Sequence, residues 1–321
     1  MPDFSALVPE THRNISPGFV ETLIQTQREE LFTGLMRLSY SSGEHLIFPF
    51  LEGIQQKLYR CQNESIQIVP RKTWLDSLDH SNAVVGLLRL PVEAMRFTRV
   101  AYEAPIRRVE TSVFTFEELS NNAVKWAVGQ DPSVVRIETE GVKKYYLIAG
   151  RSTPIIEELS FTEEGTRFSV NDASFPRTLP KGEYQVTRYI SNREHESWRE
   201  FELRLAFNPL MRMLLSRFSE LVGRVLTERL CDKLSLWARE GGWNITVTSN
   251  GAVNRHYFDS LENAATVYVD LLRHFREEAV QAIGPRMVDG ILQETLIKLD
   301  PYRRELLTQY GVGSMPGVVW R

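Results

Sequence analysis

Asn208-Pro209-Leu210-Met211-Arg212-Met213-Leu214-Leu215-Ser216-Arg217-Phe218-Ser219-Glu220-Leu221-Val222-Gly223 opens the stretch that organises this chain, which continues to Gly241-Gly242. Asn208 is a side-chain acceptor suited to capping a helix, and Pro209 lacks the N–H that position N1 leaves unbonded anyway. The glycine pair is a stop. Between them Leu210, Leu214, Phe218, Leu221 and Val225 recur at steps of three and four. Leu226, Leu230, Leu234 and Trp237 continue the stripe as it drifts around the axis. A helix of about 30 residues would be about 45 Å long, more than one small domain covers. It reads as a spine, with Leu214, Phe218, Leu221 and Val225 as partner-binding residues and a homodimer or larger homo-oligomer as the expected state.

The chain has 321 residues, 42% of them hydrophobic and 25% charged, which is the composition of a folded protein of two or three domains. A net charge of −3 supplies no basic field, so nucleic acid is an unlikely partner. No leader and no apolar run long enough to cross a membrane is visible, and a soluble cytoplasmic protein is expected. The two cysteines, Cys61 and Cys231, are too few for a metal cluster or a disulfide framework and read as reduced thiols.

Ahead of the spine the chain reads as two similar passages. Ser16 caps a helix from Pro17; a strand over Gly34–Tyr40, a turn at Gly43, a strand over His45–Phe50 and a break at Gly53 follow. In the second passage a helix over Phe116–Val128, capped by Thr115 or Ser112, precedes strands at Val134–Glu138 and Lys144–Ile148, with Gly141 and Gly150 as turn and break. Leu35 pairs with Val134, Leu38 with Ile137, Gly43 with Gly141, Phe48 with Leu147 and Gly53 with Gly150, at offsets between 97 and 99. This predicts an internal duplication in which residues 17–60 and 116–157 superpose. Alternation along Lys143-Lys144-Tyr145-Tyr146 sends one tyrosine into the core and the other to the surface, which leaves a base-stacking role disfavoured.

After the spine, Asn244 to Tyr257 is a hairpin turning at Ser249-Asn250-Gly251, and helices follow from Ser260, Met287 and Pro301. The fold class is therefore α+β: two related helix-plus-antiparallel-meander units, a long spine helix and a mainly helical C-terminal unit with one hairpin. The expected domains are 1–110, 111–207 and 208–321.

No catalytic motif survives inspection. His12, His45, His80, His195, His256 and His274 have no zinc spacing. His195 sits in a charged helix start, and His256 with Asp259 and Ser260 lacks a nucleophile elbow. There is no phosphate loop. No catalytic residue, metal ligand or cofactor is expected. The segment Gly311–Arg321 cannot be helical, yet carries Val318, Val319 and Trp320; Trp320 is expected to dock in an apolar groove of its own chain or of a neighbour.

The order helix, Thr33-Gly34-Leu35-Met36-Arg37-Leu38, glycine turn, apolar strand, Gly53 and strand resembles the PATAN-type bacterial signalling module. Residues 19–59 carry the resemblance, and 116–157 carry it more loosely, without the Thr-Gly start. Ile245–Tyr257 and Gln281-Ala282-Ile283-Gly284-Pro285 are similar to helical tails that accompany such regulators. The resemblance implies a non-enzymatic regulator or adaptor acting through protein–protein contacts. No receiver-domain pattern is present in this chain, so the input would come from a partner or a ligand. The alternatives are a small-molecule-sensing module, or an enzyme with scattered catalytic residues.

Overall fold

The computed structural model describes residues 8, 10–62, 65–70, 83–128, 132–139, 142–149, 155–162, 165–172, 179 and 182–312. The chain divides into two compact units, Met1–Arg193 and Glu194–Arg321. The class is α+β with antiparallel sheets. Gly141, Gly150 and Trp320 lie outside the described residues.

The first unit uses one topology twice. Its first half runs β1 (Glu10–Ile15), α1 (Pro17–Glu29), β2 (Gly34–Ser39), β3 (His45–Leu51), the short β4 (Ile54–Gln55), β5 (Leu58–Gln62), β6 (Ser65–Val69), β7 (Ala83–Arg89) and α2 (Val92–Glu103). The second half runs β8 (Pro105–Thr115), α3 (Phe116–Val128), β9 (Ser133–Thr139), β10 (Val142–Ala149), β11 (Ile155–Thr162), β12 (Gly165–Asp172) and β13 (Glu183–Ser191). The strand orders are β1-β7-β2-β3-β5-β6 and β8-β13-β9-β10-β11-β12. Apart from the short β4, which pairs with β3 off this path, replacing each strand of the first sheet by its counterpart reproduces the second. The duplication is therefore longer than the sequence spacing suggests: it includes the edge strands β1 and β8 and the returning strands β7 and β13.

The register corrects one pairing. Met36 faces Phe48 and Leu38 faces Leu46 across the first hairpin, while Val135 faces Tyr146 and Ile137 faces Lys144 across the second. With Leu38 equivalent to Ile137, the counterpart of Phe48 is Tyr146, not Leu147. Side chains alternate across a sheet, so a slip of one residue changes the face. Phe48 and Tyr146 both lie in the cores under the first helix of each half, and Leu147 does not.

Those cores explain the elements. In the first half Val20, Leu23 and Ile24 of α1 pack on Met36, Leu38, Leu46, Phe48 and Phe50. In the second, Leu119 of α3 packs on Val135, Ile137, Tyr146, Ile148, Tyr184 and Val186. The caps are local: the Ser16 hydroxyl accepts from the Phe19 N–H at 3.4 Å. Thr115 and Glu118 form a capping box, the Thr115 N–H donating to Glu118 at 2.9 Å and the Glu118 N–H to Thr115 at 3.4 Å.

The opposite faces are buried too. Helix α2 is buried from Ala94 through Tyr102 because it lies against β3 of the first sheet and β8 and β11 of the second. Tyr102 stacks on Tyr59 with ring centroids 5.1 Å apart. Tyr145 and Tyr146 are consequently both buried, and neither presents a ring for base stacking, contrary to the one-in, one-out expectation. Gly34 reflects the same density: a Cβ there would lie 2.0 Å from the Leu88 carbonyl oxygen.

The second unit is a helical bundle with a hairpin. It comprises α4 (Glu196–Val222), α5 (Arg224–Glu240), β14 (Ile245–Thr248), β15 (Gly251–Asn254), α6 (Leu261–Ile283), α7 (Pro285–Lys298) and α8 (Pro301–Gln309). Helix α4 touches all four other helices and β15. Phe207 stacks on Tyr268 at 4.2 Å, and Phe218 meets Phe275 edge-on at 6.2 Å. The hairpin turns on Ser249-Asn250, with Thr248 paired to Gly251 inside the ladder, one residue earlier than an Asn-Gly turn requires.

The spine differs from expectation at both ends. Asn208 does not begin a helix: α4 starts after His195, whose Nδ1 accepts from the Ser197 N–H at 3.3 Å, and Pro209 lies inside it. The missing Pro209 N–H costs one helical hydrogen bond. Burial of every residue from Trp198 to Phe207 except Arg199, then of Leu210 and Met211, outweighs that loss. The unit boundary accordingly falls at Arg193/Glu194 rather than after residue 207, and both sheets belong to one unit. Nor is the spine continuous. Gly223, at φ 82° and ψ 170°, ends α4 and begins α5.

Candidate interaction surface

Gly223 decides the exposure of the residues around it. Its backbone conformation is open to glycine alone among common residues, so the chain makes an elbow that no continuous stripe can cross. Before the elbow, Leu214 and Phe218 are buried in the bundle core and cannot meet a partner without unfolding it. At the elbow the apolar residues turn outward: Leu221 is 46% exposed, Val225 64% and Leu226 43%. The four spine residues assigned to partner binding thus split into two core residues and two surface residues.

Charged pairs flank this apolar elbow. Arg224 donates to Glu228 at 2.6 Å, Arg217 pairs with Glu220, and Arg217 also reaches Glu294 at 3.4 Å. An apolar centre with a polar rim is the common anatomy of a protein interface.

A second feature escaped the sequence reading. A groove of about 720 Å³ runs along α6, lined by Leu261, Ala265, Val269 and Tyr310 on its apolar side and by Glu196, Glu262, Asp270 and Arg273 among its polar residues. Leu261, Ala265 and Val269 stand at successive steps of four, a second apolar line beside the core line Ala264, Val267, Leu271 and Phe275. That spacing was the available signal. Glu196 anchors one end, its Oε1 accepting from the Leu261 N–H at 3.0 Å. Asp270 binds Arg273 at 2.6 Å. Burial raises the Tyr310 phenol above its ordinary value, Arg199 opposes this, and Glu194 and Glu202 add to it; the ring is neutral at neutral pH.

The polar residues that invited a catalytic reading have structural partners. Ser260 caps α6, its hydroxyl accepting from the Asn263 N–H at 3.1 Å. His256 Nδ1 accepts from the Asn244 N–H at 3.4 Å. His195 caps α4. Cys61 and Cys231 are both buried, and neither is in a disulfide. Burial is the main cause that pushes the Cys231 thiol up to about 11, and Asp232 and Glu228 add to it. Among the described residues no group of three His, Cys, Asp or Glu side chains is placed to hold a metal ion, and no helix is long and apolar enough to cross a membrane.

No family model, no curated protein and no solved structure matches this chain.

Proposed function

We propose that the protein is a non-enzymatic cytoplasmic regulator or adaptor that works through protein–protein contacts, in the manner of the PATAN-type modules its first unit resembles. The elbow carries this reading. Leu221, Val225 and Leu226 are exposed on a bundle whose preceding stripe residues, Leu214 and Phe218, are buried. Exposed apolar side chains grouped within six residues and flanked by charged pairs support a contact site there. In the first sheet the central strands β2 and β3 are buried along nearly their whole length, which suits them to a supporting role rather than to a contact surface. A second copy of the chain is the first partner in this reading.

The test is a Leu221→Glu, Val225→Glu double variant in the full chain. Both sites are exposed, so thermal unfolding should be unchanged. Light scattering should show the wild-type mass above 37.0 kDa and the variant at that value. A wild-type chain that is monomeric at tens of micromolar, and whose capture of native partners the double variant leaves intact, overturns the reading.

A further inference from the structure

We infer that the groove on α6 is a docking site for an amphipathic segment of a partner protein, apolar on one face and rich in lysine or arginine at its margins. The groove is a second surface, separate from the elbow, and its occupant does not depend on what the elbow binds.

Shape is the first argument. Leu261, Ala265 and Val269 form a line about two helical turns, or about 12 Å, long, and Tyr310 completes the apolar lining. Leu261, Val269 and Tyr310 are only half-buried, although the neighbouring line Ala264, Val267, Leu271 and Phe275 of the same helix is closed into the core. An apolar line at steps of four suits a guest helix that presents its own apolar residues at steps of three and four. The volume of about 720 Å³ lies within the range of about 300–1,000 Å³ common for binding clefts, so the groove takes the side chains of a short segment rather than a whole domain face.

Charge is the second argument. Three carboxylates, Glu196, Glu262 and Asp270, stand against the single guanidinium of Arg273, which leaves the lining at −2. Glu196 is held at the first residue of the apolar line, its Oε1 accepting from the Leu261 N–H at 3.0 Å. The surroundings keep the sign: at Tyr310, Glu194 and Glu202 act against Arg199 alone. Such a rim attracts a cationic guest and repels an anionic one. It selects against nucleic acid and acidic peptides, and a second copy of this chain, itself at −3, brings no net positive charge. The complement is a segment that joins an apolar face to basic margins.

The experiment uses the full chain and a fluorescently labelled model peptide of leucine and lysine, about four helical turns long, with the leucines on one face and an amidated C-terminus. Anisotropy should show saturable binding below roughly 1 mM that weakens as salt is added. The same peptide with glutamate in place of lysine should bind about tenfold more weakly or worse. Thr266→Arg and Glu262→Arg combined should weaken binding of the lysine peptide by about tenfold; both sites are exposed, and unchanged thermal unfolding would confirm that the fold is intact. The Leu221→Glu, Val225→Glu elbow variant should bind as the wild type does, which separates this site from the elbow. A photoreactive leucine analogue in the peptide should label residues of the groove, a measurement that needs no variant. The inference is overturned by any of four results: no saturable binding, equal binding of the two peptides, equal binding by the groove variant, or labelling confined to other surfaces. Loss of binding in the elbow variant overturns it as well. A groove variant whose mass in solution falls below the wild-type value makes a second copy the occupant and likewise overturns it.

Discussion

The Tyr59 hydroxyl donates to Glu103 Oε1 at 2.8 Å, tying β5 to the end of α2 across 44 positions of chain. The Glu103 side chain is fully buried, and it also receives Arg99 at 3.4 Å and Lys57 at 3.3 Å. Tyr59→Phe keeps the ring stack on Tyr102 and removes one hydrogen bond to a buried carboxylate. Such a bond contributes about 1.5–3 kcal/mol, whereas a half-exposed partner such as Lys57 contributes less than about 1 kcal/mol. Urea unfolding should therefore rank Tyr59→Phe as clearly more destabilising than Lys57→Met. The reverse order would remove Tyr59 as the principal tie.

Gly34→Ala should be among the most damaging single substitutions in the first unit. The added methyl would sit 2.0 Å from the Leu88 oxygen, which β7 holds in the ladder with β2. Separation of the strands is the only relief, and a loss above about 3 kcal/mol is expected from calorimetry. Gly182→Ala is the control, since a methyl there meets nothing within 4 Å and its φ is not positive.

Gly223→Ala separates conformation from space. A Cβ at Gly223 has no neighbour within 4 Å, so a purely steric account predicts no effect. The φ of 82° predicts a cost of about 1–3 kcal/mol, borne by the second unit. Chemical denaturation followed by tryptophan emission decides between them.

The Cys231 thiol gives a pH prediction. In the folded chain its pKa is raised from the ordinary 9.0 to about 11, so the folded state holds the proton more tightly than the unfolded state does. This contribution to stability is present below pH 9 and is lost as the pH rises toward 11. Native protein at pH 8 should react with iodoacetamide far more slowly at Cys231 than urea-unfolded protein does. Cys231→Ser should flatten the alkaline limb of the stability profile. Fast labelling of Cys231 in the native state would contradict its burial.

The α+β class, the first helix of each half and the hairpin were legible because their signals lie within a few residues: Ser16 before Pro17, Thr115 before Phe116, and the glycine turn at Gly43. The duplication was legible where the halves keep similar residues, as at Leu38 and Ile137. It lost register at Phe48 and Tyr146, because a chain of apolar residues buried on both faces carries no alternation to count.

What the sequence by itself determined is therefore local: where helices are capped, where strands alternate and where glycine must break them. Only the tertiary structure decided that Asn208-Pro209 would lie inside a helix and that Leu214 and Phe218 would be core while Leu221 and Val225 face outward. Those outcomes depend on which distant residues cover a face. Phe275 meets Phe218 from 57 positions away, and burial of that kind outweighs the single hydrogen bond lost at Pro209.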